Sequence, residues 1–247
     1  MKQMDENILK AIQVIKNAKH LIAFTGAGIS VESGIPPFRG EGGLWSKYDP
    51  HILDLQTFYS RTKECWTTIK EIFYEYWGTS SPNAAHSGLA KLEEKGILKA
   101  VVTMNIDNLH QKAGSRKVIE FHGTLDKMVC IKCGKKYPSG KVSLDTLPPK
   151  CSCGGVLKPD FIFFGEGIPE QAYKESFELA AKSDAVLVVG TTGEVAPASY
   201  IPNIAKQHGA KIIEINPKKS AYTDSITVIF IQEKAGTALN TIIKEIA

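Results

Sequence analysis

Residues 20–30 read HLIAFTGAGIS, an almost uninterrupted apolar run followed at once by two glycines. Such a run is typical of a strand buried on both faces of a parallel sheet. Because Gly26 and Gly28 lack a Cβ, backbone N–H groups there can approach a phosphate closely. The segment therefore predicts a strand that leads into either a tight turn or a phosphate or dinucleotide site. Val31 and Lys47 stand where a third glycine and an acidic ribose ligand are expected, which disfavours a hydride-transferring Rossmann enzyme.

The rest of the chain alternates short apolar runs with helix-like segments. The further strand-like runs are residues 99–103, 185–190, 211–216 and 226–231. The segments with apolar residues at three- and four-residue spacing are 7–18, 83–95, 170–182, 198–208 and 236–246. This alternation predicts an α/β fold, with a Rossmann-like parallel sheet and helices on both faces. Ligands of such sheets bind beyond the carboxyl ends of the strands.

Two segments interrupt the alternation and divide the chain. Residues 36–81 are rich in aromatic residues and predict a helical insertion packed against the large sheet. Residues 126–159 hold four clustered cysteines together with glycine and proline, and predict a compact inserted module. The Rossmann-like domain is therefore predicted to consist of residues 1–35, 82–125 and 160–247.

Composition limits the classes of function. The chain has 247 residues, of which 43 % are hydrophobic and 23 % charged, and these values are typical of a globular protein. Thirty Lys and Arg against 26 Asp and Glu leave a formal charge of +4, too small to predict nucleic acid as the main ligand. No apolar run reaches the roughly 18 residues of a membrane span. We therefore expect a soluble, cytoplasmic protein without a membrane partner.

Four of the five cysteines form two close pairs, Cys130-x-x-Cys133 and Cys151-x-Cys153, separated by 17 residues. This spacing predicts a zinc ribbon in a reducing compartment rather than a disulfide framework. Four thiolates close the coordination sphere of zinc, so the metal is expected to be structural. The alternative is a group of four buried, reduced cysteines.

Polar residues follow several predicted strands. Asn105-Ile106-Asp107 could supply helix caps or a polar cluster, and His122 could be structural or a general base. Gly190-Thr191-Thr192 and Asn216-Pro217 end two further strands and could face a nucleotide. The segment Phe161-Ile162-Phe163-Phe164-Gly165-Glu166 could be a core strand, or an apolar wall with an edge for an extended peptide.

Taken in chain order, these motifs resemble the sirtuin family of NAD-dependent protein deacylases. The resemblance covers about residues 20–235 and rests on Gly26-Ala27-Gly28-Ile29-Ser30, Gly34-Ile35-Pro36, Phe38-Arg39-Gly40, Asn105-Ile106-Asp107, Leu109-His110, His122-Gly123, the cysteine quartet, Phe163-Phe164-Gly165-Glu166, Gly190-Thr191 and Asn216. It implies NAD held between the Rossmann-like domain and the zinc module, and consumed as a co-substrate. It also implies an acyl-lysine protein or peptide substrate, one structural zinc per chain, and a cofactor loop at the start of residues 36–81.

The resemblance implies a role for individual residues. His122 would be the catalytic base and Asn105 a second catalytic residue. The Ile162 carbonyl would accept a hydrogen bond from the acyl-lysine nitrogen, and Phe164 would line the lysine tunnel. The NAD-binding residues would be Gly26, Ala27, Gly28, Ser30, Phe38, Arg39, Met104, Asn105, Ile106, Asp107, His122, Gly190, Thr191, Thr192, Asn216, Pro217 and Ala235. The zinc ligands would be Cys130, Cys133, Cys151 and Cys153.

Departures from the family pattern leave alternatives open. Met104 stands where the family usually has glutamine, and Pro37 where it commonly has aspartate or threonine. The acyl preference is therefore open, with acetyl as the default. Two other functions are retained: a protein mono-ADP-ribosyltransferase, and a catalytically weak module that binds NAD or ADP-ribose.

Overall fold

The structure is a computed structural model that describes residues 5–40 and 42–246. Residues 1–4, 41 and 247, which belong to the predicted domain ranges, lie outside the described residues. The strands are β1 (Leu21–Thr25), β2 (Leu98–Thr103), β3 (Val118–Glu120), β4 (Gly123–Cys130), β5 (Lys136–Pro138), β6 (Leu157–Phe161), β7 (Ala185–Val189), β8 (Lys211–Ile215) and β9 (Thr227–Ile231). The α-helices are α1 (Glu6–Asn17), α2 (Leu55–Ser60), α3 (Thr62–Ile69), α4 (Ala84–Glu94), α5 (Leu109–Lys112), α6 (Glu170–Lys182), α7 (Tyr200–Gln207) and α8 (Ala235–Ile246).

The large sheet has the strand order β3-β2-β1-β7-β8-β9, and every neighbouring pair is parallel. The strand order reverses between β1 and β7, where Thr25 lies beside Val189. A doubly wound sheet opens a crevice at this point, beyond the carboxyl ends of the two strands. The predicted fold class is confirmed.

The two faces of the large sheet are covered by different helices. Along β1, Leu21 and Ala23 join a core with residues of α1, α4 and α8, whereas Ile22 and Phe24 join a core with residues of α6 and α7. Both cores need apolar side chains because successive residues of a strand point to opposite faces. This explains why residues 21–24 are all apolar and do not alternate with polar residues.

A second, antiparallel sheet has the order β5-β4-β6 and lies outside the large sheet. The aromatic insertion packs on this small sheet: the Trp66 indole N–H donates to the Leu157 carbonyl at 2.9 Å, and Phe73 lies 5.4 Å from Phe161 between ring centroids. The expectation that the insertion packs against the large sheet is therefore wrong. Its apolar side chains find their partners on β4 and β6 and on the loops that follow the large sheet.

The small sheet begins at Gly123 and ends at Phe161, so β4 and β6 extend beyond residues 126–159 on the two sides. The division of the chain into three domains stays a prediction. Within residues 5–40 and 42–246, no helix has the length and apolar character of a membrane span.

Candidate functional site

Two glycine-containing loops meet where the strand order reverses. The Gly26 N–H donates to the Val189 carbonyl at 3.0 Å, and the Gly28 N–H donates to the Gly190 carbonyl at 2.8 Å. A Cβ on Gly28 would lie 2.7 Å from the Gly190 Cα, so the loops pack backbone against backbone. The N–H of Ala27, the first residue of a short 3-10 helix, has no acceptor within that helix.

A buried hydrogen-bonded network lies behind these loops. The Ser30 hydroxyl donates to Asp107 Oδ2 at 2.7 Å, and Asn105 Nδ2 donates to Ser30 Oγ at 3.1 Å. Ser30 is fully buried, and Asn105 and Asp107 are almost so. Burial raises the pKa of the Asp107 carboxyl, and hydrogen bonds from the Leu109 N–H and the Ser30 hydroxyl oppose this shift. Side chains that follow β1 and β2 thus form one polar cluster.

Two histidines extend the network into the core. His86 Nε2 lies 3.4 Å from Ser30 Oγ, His110 Nε2 lies 2.9 Å from Thr25 Oγ1, and the two rings are 5.0 Å apart. Burial lowers the pKa of His86 to about 4. Burial, together with the nearby His86, lowers the pKa of His110 to about 3. Both rings are therefore neutral at pH 7.

These two histidines predict a loss of stability in mild acid. In the unfolded chain a histidine takes up a proton near its ordinary pKa of about 6.5, but the folded protein resists protonation until much lower pH. The unfolded state then binds more protons, and the free energy of unfolding falls by roughly 1 kcal/mol per pH unit for each histidine as the pH drops from about 6.5 toward 4. Denaturant titrations across this range are expected to give a shallower decrease for His86→Gln than for the wild type.

The exposed His208 gives the matched control. His208→Gln is expected to keep the wild-type dependence on pH, and carboxyl groups contribute to all three proteins alike. Equal slopes for His86→Gln and the wild type would contradict the assignment of the acid sensitivity to the buried pair.

His122 lies in the connection between β3 and β4. Its Nδ1 is 3.2 Å from the Met104 carbonyl oxygen, which can only accept, so Nδ1 carries the proton and Nε2 keeps its lone pair. Burial lowers the pKa of His122, and the hydrogen bond to Met104 opposes this shift. On its other side, the His122 carbonyl accepts a hydrogen bond from the Ile162 N–H at 2.8 Å.

An aromatic wall extends from the predicted cofactor loop to the turn after β6. The ring of Trp45 lies 5.4 Å from that of Phe38 and 6.4 Å from that of Phe164. Phe164 is 48 % exposed, and its backbone pairs with Asp54 in an isolated parallel bridge. The aromatic wall therefore exposes the Phe164 ring to solvent, next to the short backbone bridge between Asp54 and Phe164.

Most of the other predicted residues follow the ends of strands of the large sheet, whereas Arg39 does not. Asn216 Nδ2 donates to the Thr191 carbonyl at 2.8 Å, which joins the loops after β7 and β8. Ala235 begins α8, whose next N–H, that of Gly236, donates to Glu32 Oε2 at 2.7 Å. The remaining ones differ in burial: Ile106 is buried, Met104 is half-buried, and Arg39, Thr192 and Pro217 are exposed.

The four clustered cysteines fit a zinc ion. Their Sγ atoms all lie within 4.8 Å of one another, with 3.6 Å between Cys130 and Cys153 and 3.7 Å between Cys133 and Cys151. Tetrahedral zinc with Zn–S bonds of about 2.3 Å separates its sulfurs by about 3.8 Å, whereas a disulfide requires about 2.05 Å. The Tyr137 hydroxyl lies 3.1 Å from Cys151 Sγ and adds a hydrogen-bonding partner to the cluster.

Comparison with known proteins agrees with this geometry. The family model described as the Sir2 family matches residues 26–197. The chain is a member of the Sir2 family. A protein named NAD-dependent protein deacylase 2 from Pyrobaculum aerophilum is 43 % identical to this Sir2 chain in an alignment of 243 positions that covers 96 % of this chain and 95 % of the relative.

Solved structures resemble the Sir2 chain over nearly its whole length. A mutant Sir2 homologue in complex with ADP ribose gives a TM-score of 0.93 at 36 % identity, and the match covers 98 % of this chain and 96 % of that one. A Sir2 protein bound to an acetylated peptide gives a TM-score of 0.89 at 33 % identity, with 98 % of each chain covered.

Several residues of the Sir2 site were not singled out from the sequence. His86 lies inside a predicted helix, so periodicity assigns it to structure alone. Thr25 stands at the start of the glycine-containing motif, but the sequence gives its side chain no role of its own. Glu32 and Lys158 carry no local motif. Only the hydrogen bonds of the folded chain connect these residues with the predicted ones.

Proposed function

We propose that this Sir2 protein is an NAD-dependent protein-lysine deacylase that releases nicotinamide and O-acyl-ADP-ribose, with acetyl-lysine as the default substrate. The observation that carries the proposal is the placement of His122 between the Met104 carbonyl, beside the polar network, and the Ile162 N–H, beside the aromatic wall. A general base for a reaction between a dinucleotide and a peptide must lie within reach of both, and His122 lies at such a junction. The similarity to relatives named deacylases supports the same activity.

The chemistry of the strand ends fits NAD. When bound, NAD supplies a ribose carbon from which nicotinamide departs as a leaving group. Asn105 and Asp107 offer an amide and a carboxylate to ribose hydroxyls and the carboxamide, and the Ala27 N–H is free of helical partners. The loops after β7 and β8, joined through Thr191 and Asn216, are proposed to hold the adenosine half.

His122 is proposed to act as the general base. The bond from Nδ1–H to the Met104 carbonyl fixes the ring and leaves Nε2 ready to accept a proton. Because burial lowers its pKa, the imidazole is neutral at pH 7. Asn105 is proposed to assist by holding the polar groups in place, since its amide is anchored to Ser30.

The acyl-lysine side is proposed to lie along the aromatic wall. Ile162 would accept a hydrogen bond from the acyl-lysine nitrogen through its carbonyl, and Phe164 would contact the aliphatic part of the lysine. Phe38 and Trp45 would cover the reacting groups and exclude water, which otherwise hydrolyses activated ribose unproductively. The cysteine quartet would hold one zinc that stabilises the small sheet and takes no part in the chemistry.

We also propose that the protein works in the cytoplasm on acyl-lysine proteins, with nucleic acid not its main ligand and without a membrane partner. The thiols of the quartet and of Cys65 favour a reducing compartment. A net charge of +4 provides little attraction for a phosphate backbone.

The proposed function predicts that nicotinamide release depends on an acyl-lysine peptide. We expect release from NAD to rise at least about tenfold when an acetyl-lysine peptide is added, because the acyl oxygen held against the ribose assists the departure of nicotinamide. Mass spectrometry is expected to find free lysine peptide and O-acetyl-ADP-ribose in equal amounts. The unacetylated peptide of the same sequence is the control.

Other products would contradict this proposal. ADP-ribose attached to a protein, with the acetyl-lysine intact, would favour the mono-ADP-ribosyltransferase. NAD binding without nicotinamide release, across peptides with several acyl groups, would favour the binding module.

A further inference from the structure

Hydrogen bonds hold two consecutive peptide units in the turn after β6. The Ile162 N–H donates to the His122 carbonyl, and the Phe163 N–H donates to Glu166 Oε2 at 2.6 Å. No residue in the described part of the chain donates to the Ile162 carbonyl oxygen. The amide between Ile162 and Phe163 is thus fixed through its neighbours while its oxygen keeps a free acceptor site.

A buried ion pair supports this peptide unit. Lys158 Nζ lies 3.0 Å from Glu166 Oε2 and also donates to the Phe161 carbonyl at 2.7 Å and the Pro159 carbonyl at 2.9 Å. The ammonium lies 4.1 Å from the centroid of the Phe163 ring. All three protons of the ammonium therefore have acceptors, and the same carboxylate oxygen that receives the Phe163 N–H also receives the lysine.

The position of the pair is unusual for a charged side chain. The Lys158 side chain is only 6 % exposed, and that of Glu166 is 21 % exposed. Burial lowers the pKa of the Lys158 ammonium, and the charge of Glu166 opposes this shift. A buried ion pair adds little stability over packed apolar side chains of the same volume. The feature that distinguishes this pair is its geometry, since it aims a carboxylate at one backbone N–H.

We propose that Lys158 and Glu166 are positioning residues for the acyl-lysine substrate: together they orient and polarise the Ile162–Phe163 amide so that the Ile162 carbonyl receives the acyl-lysine N–H. The inference rests on the proposed function. A hydrogen bond from the amide N–H to a carboxylate draws electron density toward the carbonyl oxygen, because hydrogen bonds in a chain polarise one another. Lys158 holds the carboxylate in line and compensates its charge.

The orientation also links substrate binding to the base. The Ile162 N–H belongs to the preceding peptide unit and donates to the His122 carbonyl, so the residue that carries the substrate acceptor is also joined to the backbone of the base. Lys158 and Glu166 touch neither reactant in this arrangement. Their effect is transmitted through one amide, which distinguishes them from catalytic residues.

The test compares two peptides that differ in one hydrogen-bond donor. The first carries acetyl-lysine, and the second carries the ester analogue in which an oxygen replaces the side-chain N–H. Dissociation constants are measured by fluorescence polarisation without NAD. We expect wild-type protein to bind the amide about tenfold more tightly than the ester, and Glu166→Gln to reduce that ratio to about twofold.

Two further variants separate positioning from simple structural damage. Asp160→Asn makes the same carboxylate-to-amide change on β6, in the ion pair with Lys136, where the Asp160 side chain is 20 % exposed. It is expected to keep the wild-type ratio. The double variant Lys158→Met/Glu166→Gln removes the unpaired lysine charge, so we expect it to melt at a higher temperature than Glu166→Gln while keeping the reduced ratio.

The outcomes discriminate between the inference and the function on which it rests. A wild-type ratio in Glu166→Gln, or a restored ratio in the double variant, would overturn the positioning role. If wild-type protein also fails to release nicotinamide with the acetyl-lysine peptide, the proposed function itself fails. Wild-type turnover with an unchanged ratio in Glu166→Gln overturns the positioning role alone.

Discussion

His122→Ala is expected to lower the peptide-dependent formation of O-acetyl-ADP-ribose by about 10²–10⁴-fold, the usual contribution of a general base. NAD binding and nicotinamide exchange are expected to persist in part. The variant keeps the backbone carbonyl that bonds to the Ile162 N–H, so the turn after β6 retains its anchor. Product formation is followed by mass spectrometry, and NAD binding by calorimetry.

No other histidine of the network is placed to take over. His86 and His110 are fully enclosed, and their pKa values of about 4 and about 3 make them weak bases. His122 is half-buried, and its Nε2 keeps a lone pair because Nδ1 is bonded to the Met104 carbonyl. Neither His86 nor His110 can therefore replace His122 as the base between the polar network and the aromatic wall.

The pH profile gives a second measurement of the same role. The base must be neutral, and burial lowers the pKa of His122 below the ordinary value of about 6.5. The wild-type kcat/KM for peptide is therefore expected to fall only as the pH drops below about 6.5, whereas the residual activity of His122→Ala lacks this limb. The exposed His208→Ala is the control. Full product formation by His122→Ala, with or without an altered profile, would remove the base assignment.

The architecture of the large sheet follows closely from the sequence. Strands of a parallel sheet are rich in apolar residues, and these runs predict bounds for β1, β2, β7, β8 and β9 that differ from the observed ones by a residue or so. The short β3 is harder to see, because its three residues carry too little pattern. Strand ends share one edge in a parallel sheet, so the neighbourhood of Asn105 and Asp107 was also predictable.

The packing of the aromatic insertion was not predictable in the same way. Its many aromatic side chains indicate a buried face but not the surface that buries it. The structure joins Trp66 to the Leu157 carbonyl on the small sheet, a contact across 91 positions. Such contacts depend on how the small sheet is placed relative to the insertion, and no local pattern of residues indicates that placement.

The residue types of the site were predictable from the sequence, but their hydrogen-bond partners were not. A motif identifies residue types that suit a chemistry, but the partners of a side chain are set by three-dimensional packing. Ser30 illustrates this point: it stands in the glycine-containing motif, yet its hydroxyl is engaged with Asp107 and Asn105 rather than exposed. Likewise, Lys158 reads as an ordinary surface lysine in the sequence and is almost completely buried in the structure.

Loss of zinc is expected to unfold the small module. Structural zinc contributes about 10–16 kcal/mol of apparent binding free energy at neutral pH, comparable with the whole stability of a typical domain at about 5–15 kcal/mol. Cys133→Ala is therefore expected to lose its zinc and to lower the melting temperature by at least about 10 °C. Because the Trp66 indole donates to the Leu157 carbonyl of the module, its fluorescence should shift toward longer wavelength as it becomes solvated.

Cys65→Ala is the matched control, since Cys65 is a buried thiol among aromatic residues of the insertion and is not part of the quartet. It loses one sulfur atom from the core and is expected to keep a full equivalent of zinc, with a decrease of only about 2–6 °C in melting temperature. A strong chelator should reproduce the effect of Cys133→Ala on wild-type protein. If Cys133→Ala keeps zinc, or if chelated wild-type protein keeps its melting temperature and tryptophan emission, then the four thiols do not hold a structural metal and the small sheet is stabilised by its aromatic contacts alone.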